Sequence, residues 1–153
     1  ERIDIESASD MYRAVVQNFK DYDILVFCAA VADFTPDMVH SEKIKRKSDD
    51  LIIRLRPTQD IAATIGKQKT DKQFLVGFAL ETNDEQANAM GKMQRKNLDM
   101  IVLNSLNDKG AGFGYDTNKV TIITRSGETI DLPLLPKTEV AAHIVAKILG
   151  RFE

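Results

Sequence analysis

A single cysteine, Cys28, among 153 residues leaves no internal disulfide framework, so the chain fits a reducing cytoplasm. No apolar run approaches the ~18 residues of a membrane span, and no membrane partner is expected. A net charge of -2 provides no overall basic field, so no nucleic-acid partner is expected either. The two histidines, His40 and His143, lie too far apart in the chain for a local metal-ligand motif, and the metal ligands are left unassigned. No G-x-G-x-x-G turn opens a helix. Gly110-Ala111-Gly112-Phe113-Gly114 follows one strand pattern and leads to another, which makes it a flexible loop. There is no internal repeat, low-complexity tract or linker, and 43% hydrophobic content over this length fits one domain, residues 1–153. The chain starts at Glu1 with neither an initiator methionine nor a signal peptide. Either residues precede Glu1 in the natural protein, or the chain is an excised piece.

What is present is an alternation of strand and helix patterns. Residues 2–5 read as a short strand, and Ser7 with Asp10 forms a capping box that opens a helix over 7–20. An apolar strand over 23–29 follows, and places Cys28 inside it as an inert thiol. A shorter strand covers 51–55. Thr58 caps a brief helix that carries Ile61 and Ile65 on one face and stops at Gly66. Strand 74–79, a helix from Asn83 with Gln86 to Lys96, and strand 100–103 repeat the pattern. Residues 120–124 and 128–132 flank Arg125-Ser126-Gly127 as a hairpin, and Pro136 precedes a last helix with a wide apolar stripe closed by Gly150. The fold class is α/β: a Rossmann-like, mainly parallel sheet with helices on both faces and a C-terminal antiparallel hairpin.

Charge concentrates in one place. Four cations, Lys43, Lys45, Arg46 and Lys47, fall among five positions a short loop after the first apolar strand and Asp33. Alone, such a run is a solvated loop. Lys92 and Lys96, four apart on one helix face, have a comparably plain reading, since cations at a helix C-terminus are favoured by the dipole. Asp33, Phe78 and Asn104 all come just after parallel strand segments, however, and ligands of open α/β sheets sit outside the carboxyl ends of the strands. One crevice could collect these groups and bind an anion, with phosphate the expected one. The loop over residues 35–48, polar and cationic, is expected to be mobile without that ligand and to close over it.

At these residues the sequence resembles a known family. Ala29-Ala30-Val31-Ala32-Asp33-Phe34, Glu42-Lys43-Ile44-Lys45-Arg46, Asp60-Ile61, Val76-Gly77-Phe78-Ala79-Leu80-Glu81-Thr82 and Arg95-Lys96-Asn97-Leu98-Asp99 with Asn104 agree in order and spacing with phosphopantothenoylcysteine synthetase. The resemblance runs over essentially the whole chain and looks bacterial. It implies a synthetase domain that lacks the family's N-terminal βαβ portion, so that these residues alone form an incomplete enzyme. It further implies a homodimer and, where the synthetase is fused to a decarboxylase, FMN in that other half.

The resemblance implies a ligase of coenzyme A biosynthesis. The carboxylate of 4'-phosphopantothenate attacks the α-phosphate of CTP, with Mg2+, to give an acyl-cytidylate and pyrophosphate, and the amine of L-cysteine then displaces CMP. By the same resemblance Lys43 is catalytic and contacts the nucleotide, Lys45 and Arg46 belong to a flexible lid, and Phe27, Cys28 and Ala29 meet the nucleotide at the strand end. Asp33 stands beside the ribose or the metal-bound phosphates; Gln59, Asp60, Ile61, Ala62 and Phe78 line base and sugar; Lys92 and Lys96 complete a cationic wall. The alternatives are another Rossmann-like nucleotide-dependent enzyme, such as a nicotinamide dehydrogenase, and a non-catalytic dimerisation or nucleotide-binding remnant.

Overall fold

The computed structural model describes residues 1–46, 50–81, 83–105 and 114–152. Residues 1–5 form no strand, contrary to expectation: Ile3 and Ile5 are exposed and pair with nothing in the sheet. The capping box does open a helix, α1 (Ala8–Asn18). The Ser7 hydroxyl accepts the Asp10 N–H at 3.1 Å, and the Asp10 carboxylate accepts the Ser7 N–H at 3.0 Å. A 3-10 turn, Phe19–Asp21, then buries Phe19 and leads to β1 (Ile24–Phe27).

The apolar run at 51–55 is not a strand of the main sheet. Leu51, Ile52 and Ile53 are exposed and in no regular element, and β3 (Leu55–Pro57) pairs antiparallel with β2 (Phe34–Pro36) as a separate arm. Apolar residues with strand propensity need a neighbouring edge to become a strand, and among the described residues no strand pairs with them. Helix α2 (Ile61–Gln68) is capped by Asp60, whose carboxylate accepts the Ala63 N–H at 3.0 Å. Thr58, the expected cap, donates instead to the Ala32 carbonyl at 2.6 Å. Nor does the helix stop at Gly66, which lies within it.

Strand β4 (Phe74–Glu81) runs two residues past Ala79, where the sequence pattern ended it, and α3 (Glu85–Arg95) starts behind Asp84 in a left-handed conformation, φ 46°, instead of at Asn83. After β5 (Met100–Ser105) come β6 (Thr117–Asn118), β7 (Val120–Thr124), β8 (Thr129–Asp131), β9 (Leu135–Pro136) and α4 (Lys137–Leu149). The expected loop at 110–114 lies outside the described residues except for Gly114. The Arg125-Ser126-Gly127 hairpin forms as expected, with Gly127 at φ 91°, a conformation that favours glycine.

These strands build a five-stranded sheet in the order β1-β4-β5-β7-β8; β1, β4 and β5 are parallel, and β7 and β8 add antiparallel. Strand periodicity then sorts the core. Leu75 and Ala79 of β4 and Ile101 and Leu103 of β5 pack with Phe19, Ile61, Ile65, Ala89 and Met93 on the α1–α3 face. The alternate residues Val76, Met100 and Val102 pack with Val140, Ile144 and Ile148 of α4 on the other. Both faces are covered, which is why β4 and β5 read as continuous apolar runs. The stripe on α4 is narrower than its sequence pattern, since Val145 and Leu149 remain half exposed.

A polar knot closes the sheet at the end where β4 and β5 begin. The Asp99 carboxylate takes the Lys69 ammonium and the Leu75 N–H, the latter at 2.8 Å, while its carbonyl accepts the Arg125 N–H at 2.8 Å. Nearby, α2 and the end of α3 are in direct backbone contact. A Cβ on Gly66 would lie 1.8 Å from the Lys96 carbonyl oxygen, and the Asn97 amide donates to the Gly66 carbonyl at 2.6 Å.

Because backbone and not a flexible side chain faces Gly66, Gly66→Ala is expected to destabilise the protein by about 1–3 kcal/mol, the usual range for overpacking. Urea unfolding checks this. A loss under ~0.5 kcal/mol, the surface-substitution range, would mean that α2 and α3 are not held in contact there.

Candidate functional site

A cavity of about 410 Å³ opens at the C-terminal ends of β1 and β4, beneath α2 and the last turn of α3. Its position follows from the topology: β1 ends beside the middle of β4, and the chain leaves β1 through a loop whose backbone groups are free to face a ligand. The β1–β4 ladder stops at Phe27 opposite Gly77. Cys28 therefore lies past the strand and is exposed, which corrects its expected place in the core. The segment after it is tied down on the far side, where the Thr58 N–H donates to the Asp33 carbonyl at 2.9 Å and the Thr58 hydroxyl to Ala32.

Of the candidate residues, Phe27, Ala29, Asp33, Gln59, Asp60, Ile61, Ala62, Phe78, Lys92 and Lys96 all line this cavity. Cys28 and Lys43 do not. Lys43, Lys45 and Arg46 are exposed on the arm between β2 and β3, while Lys47 and Ser48 lie outside the described residues. Asn104, grouped with the strand ends in the sequence, is not on the cavity wall; its amide donates to the Ala79 carbonyl at 3.2 Å and its carbonyl accepts from Asn118 at 2.6 Å, so it pins β5 to β6. The wall also contains Met11, Val31, Phe34, Gly77, Leu98 and Ile101, which were not among the candidate site residues. Nothing in their local spacing distinguishes them, because a cavity between sheet and helices is made by tertiary packing.

The cationic wall needs a correction. Lys92 is paired with Glu81 at 2.5 Å and Lys96 with Asp60 at 3.1 Å, so each ammonium already has a carboxylate partner. Glu81 has no role assigned from the sequence, and no local spacing marks it, since its lysine lies well along the following helix. Burial pushes the Asp60 carboxyl up, but the Ala63 N–H and the Lys96 ammonium more than offset this and hold it below its ordinary value. No ion pair among the described residues engages the Asp33 side chain, which is exposed at the cavity wall. Among the described residues no three His, Cys, Asp or Glu side chains converge as metal ligands. A single carboxylate suits a Mg2+ held mainly by substrate phosphates, which leaves most of its shell to water and phosphate oxygen. No helix among the described residues is long and apolar enough to cross a membrane.

The profile of the family described as DNA/pantothenate metabolism flavoprotein C-terminal domain matches residues 1–151. The chain is 56% identical over 147 residues to a cysteine/cysteine sulfinic acid decarboxylase from an unknown prokaryotic organism, covering 96% of this chain and 41% of that one. It is 43% identical over 148 residues to the coenzyme A biosynthesis bifunctional protein CoaBC of Bacillus subtilis, covering 97% and 36% respectively. The chain thus spans roughly two fifths of the length of these relatives. The crystal structure of the C-terminal domain of a CoaBC protein superposes with a TM-score of 0.78 at 42% identity, over 98% of this chain and 67% of that one.

The depressed Asp60 pKa sets a pH dependence. An ionised Asp60 stabilises the fold above its ordinary pKa of 3.8, and the contribution fades as pH falls through the lower folded value. Asp60→Asn keeps a capping side chain but no charge. It is expected to be less stable than the parent above pH 3.8 and to converge with it at more acidic pH, as read by urea unfolding across the range. A gap that is constant with pH would contradict the ion pair with Lys96.

Proposed function

The chain belongs to the DNA/pantothenate metabolism flavoprotein C-terminal domain family, and from that premise we propose that it is the nucleotide-binding part of a phosphopantothenate–cysteine ligase of coenzyme A biosynthesis. The observation that carries this reading is the cavity at the strand ends, where Phe27, Asp33, the Gln59–Ala62 turn, Phe78, Lys92 and Lys96 converge from four separate elements. Each of its two lysines has a carboxylate partner, Glu81 for Lys92 and Asp60 for Lys96, so neither ammonium is left alone when the cavity is empty.

In this reading the carboxylate of 4'-phosphopantothenate attacks the α-phosphate of CTP, pyrophosphate leaves, and the amine of L-cysteine displaces CMP from the acyl-cytidylate. The protein's task is alignment and neutralisation of charge on phosphate oxygens. Lys96, whose partner Asp60 is half exposed, is free to exchange that carboxylate for a phosphate. Asp33 faces the ribose or a phosphate-bound Mg2+, and Mg2+ supplies further neutralisation when bound. Phe78 and the Gln59–Ala62 turn form the base and sugar wall. Lys43 acts from the arm between β2 and β3, which must fold toward the cavity for it to reach a phosphate, and Lys45 and Arg46 accompany it as the lid.

The same arm supports a homodimer. Val39 is 92% exposed, Ile52 85% and Met38 69%, and Leu51, Ile53 and Phe34 are exposed as well. Exposed apolar patches of this kind mark contact surfaces, and a second copy of the chain is the occupant that the family resemblance implies.

A second reading has an observation in its favour: the 56% identical relative has a decarboxylase name. In that case the chain is a non-catalytic nucleotide-binding or dimer-forming part of a flavin-dependent decarboxylase, with FMN bound elsewhere. Pyrophosphate release by the full-length protein with 4'-phosphopantothenate, L-cysteine and Mg2+ separates the two. The ligase reading expects turnover with CTP faster than with ATP; nucleotide binding without ligation would leave the second reading standing.

Two substitutions test the parts. Lys43→Gln is expected to lower turnover by about 10²–10³ with thermal stability unchanged, since the side chain is exposed; near-normal turnover would remove Lys43 from the chemistry. Ile52→Asp is expected to convert the dimer to monomer in sedimentation at micromolar concentration, and an unchanged dimer would place the interface elsewhere.

A further inference from the structure

We propose that Glu81 is a positioning residue that clamps the Lys92 ammonium against the cavity wall and so sets where an anionic phosphate group is received. The inference rests on the nucleotide reading of that cavity and adds a residue to it.

Glu81 ends β4, opposite Ser105 in the parallel ladder, and Lys92 comes from α3, the helix that follows. The Glu81 side chain is 13% exposed, and its Oε1 is shielded from solvent without accepting a hydrogen bond from the described residues, yet the Lys92 Nζ lies 2.5 Å away. A shielded carboxylate oxygen whose neighbour is one ammonium depends on that ammonium, because an uncompensated charge in such a place is strongly disfavoured. Lys92 is therefore held, whereas an unpaired lysine samples many rotamers. Lys92 lines the cavity and Glu81 does not, so the carboxylate approaches from behind. An ammonium has three donors, and those not engaged by Glu81 remain for a ligand oxygen.

The neighbouring pair is built differently. Asp60 is 49% exposed, lines the cavity and caps α2, so Lys96 has a partner that a ligand can replace. Two lysines one helical turn apart thus have unequal tethers: Lys92 is fixed, and Lys96 can be exchanged.

The test uses the full-length protein with Glu81→Gln, Glu81→Asp, Lys92→Met and the double variant Glu81→Gln/Lys92→Met. If Glu81 acts through Lys92, Glu81→Gln raises KM for CTP about tenfold with kcat within about twofold, and Glu81→Asp recovers part of the loss. In the Lys92→Met background Glu81→Gln then changes KM by less than about twofold, since the two substitutions remove one interaction. Equal effects in both backgrounds, or an unchanged KM in Glu81→Gln, would overturn the proposal. A readout independent of nucleotide is the rate of reductive methylation of Lys92 in the unliganded protein, followed by mass spectrometry. It is expected to be slow in the parent and to rise several-fold in Glu81→Gln, or in Glu81→Ala should the glutamine variant fail to fold, with Glu81→Asp in between. If Lys92 is protected by Glu81 in a protein that turns over no CTP, the ligase reading fails and the clamp stands. If Lys92 is methylated equally fast with and without the Glu81 carboxylate, the clamp fails whatever the nucleotide result.

Discussion

The contact of α2 with the end of α3 at Gly66 sets the dimensions on which the rest of the site depends. The missing side chain lets the Lys96 carbonyl press against the helix, and Asn97, itself left-handed at φ 53°, donates back to the Gly66 carbonyl. Arg125 of the hairpin then donates to the Asn97 side-chain carbonyl at 2.6 Å and to the Leu98 carbonyl at 2.8 Å. Three distant segments are thereby locked at one point. Asp60 at one end of α2 and Lys96 at the end of α3 consequently meet in an ion pair on the cavity wall, and Leu98 fills the space that Gly77 leaves beside β4.

Electrostatics follows from this framework. The cavity is lined by two acids, Asp33 and Asp60, and two lysines, Lys92 and Lys96, and Glu81 stands behind the wall. A pocket of unpaired lysines would repel itself in the absence of ligand, whereas paired lysines are stable when empty and can still be recruited. The loosely held pair, Asp60 with Lys96, is the one at the cavity surface. The shielded pair, Glu81 with Lys92, supports it from behind. Among the described residues no ion pair places Lys43, Lys45 or Arg46 on the exposed arm, and their role in the proposed reaction depends on movement of the arm.

Local chemistry was legible wherever it decided the outcome. The Ser7–Asp10 capping box, the Gly127 hairpin and the doubly buried strands β4 and β5 are all determined by residues close together in the chain. What could not be read depends on distant partners. Thr58 and Asp60 are both capping residue types, and Asp60 prevails because Thr58 is taken by the Ala32 carbonyl. Leu51 to Ile53 have strand propensity but pair with no strand among the described residues, and Cys28 is exposed because the ladder ends one residue earlier. The candidate site was legible at the level of residues, through the family resemblance, and illegible at the level of charge, since neither Glu81 nor Asp60 is near its lysine in sequence.

The central claim is that nucleotide binds at the ends of β1 and β4. A second, larger cavity of about 660 Å³ lies at the opposite end of the sheet, beside Phe74, Arg125 and Lys147, and is equally open to a ligand on size alone. Two of its three cations are committed, Arg125 to the Asn97 and Leu98 carbonyls and Lys147 to Glu128, and the third, Arg151, is exposed just past α4. Photocrosslinking of the full-length protein with an azido derivative of CTP, followed by peptide mapping, separates the two locations. The account predicts labelling of peptides containing residues 57–62 and 77–79 that unlabelled CTP suppresses. Suppressible labelling confined to residues 124–128 and 146–151 would contradict it.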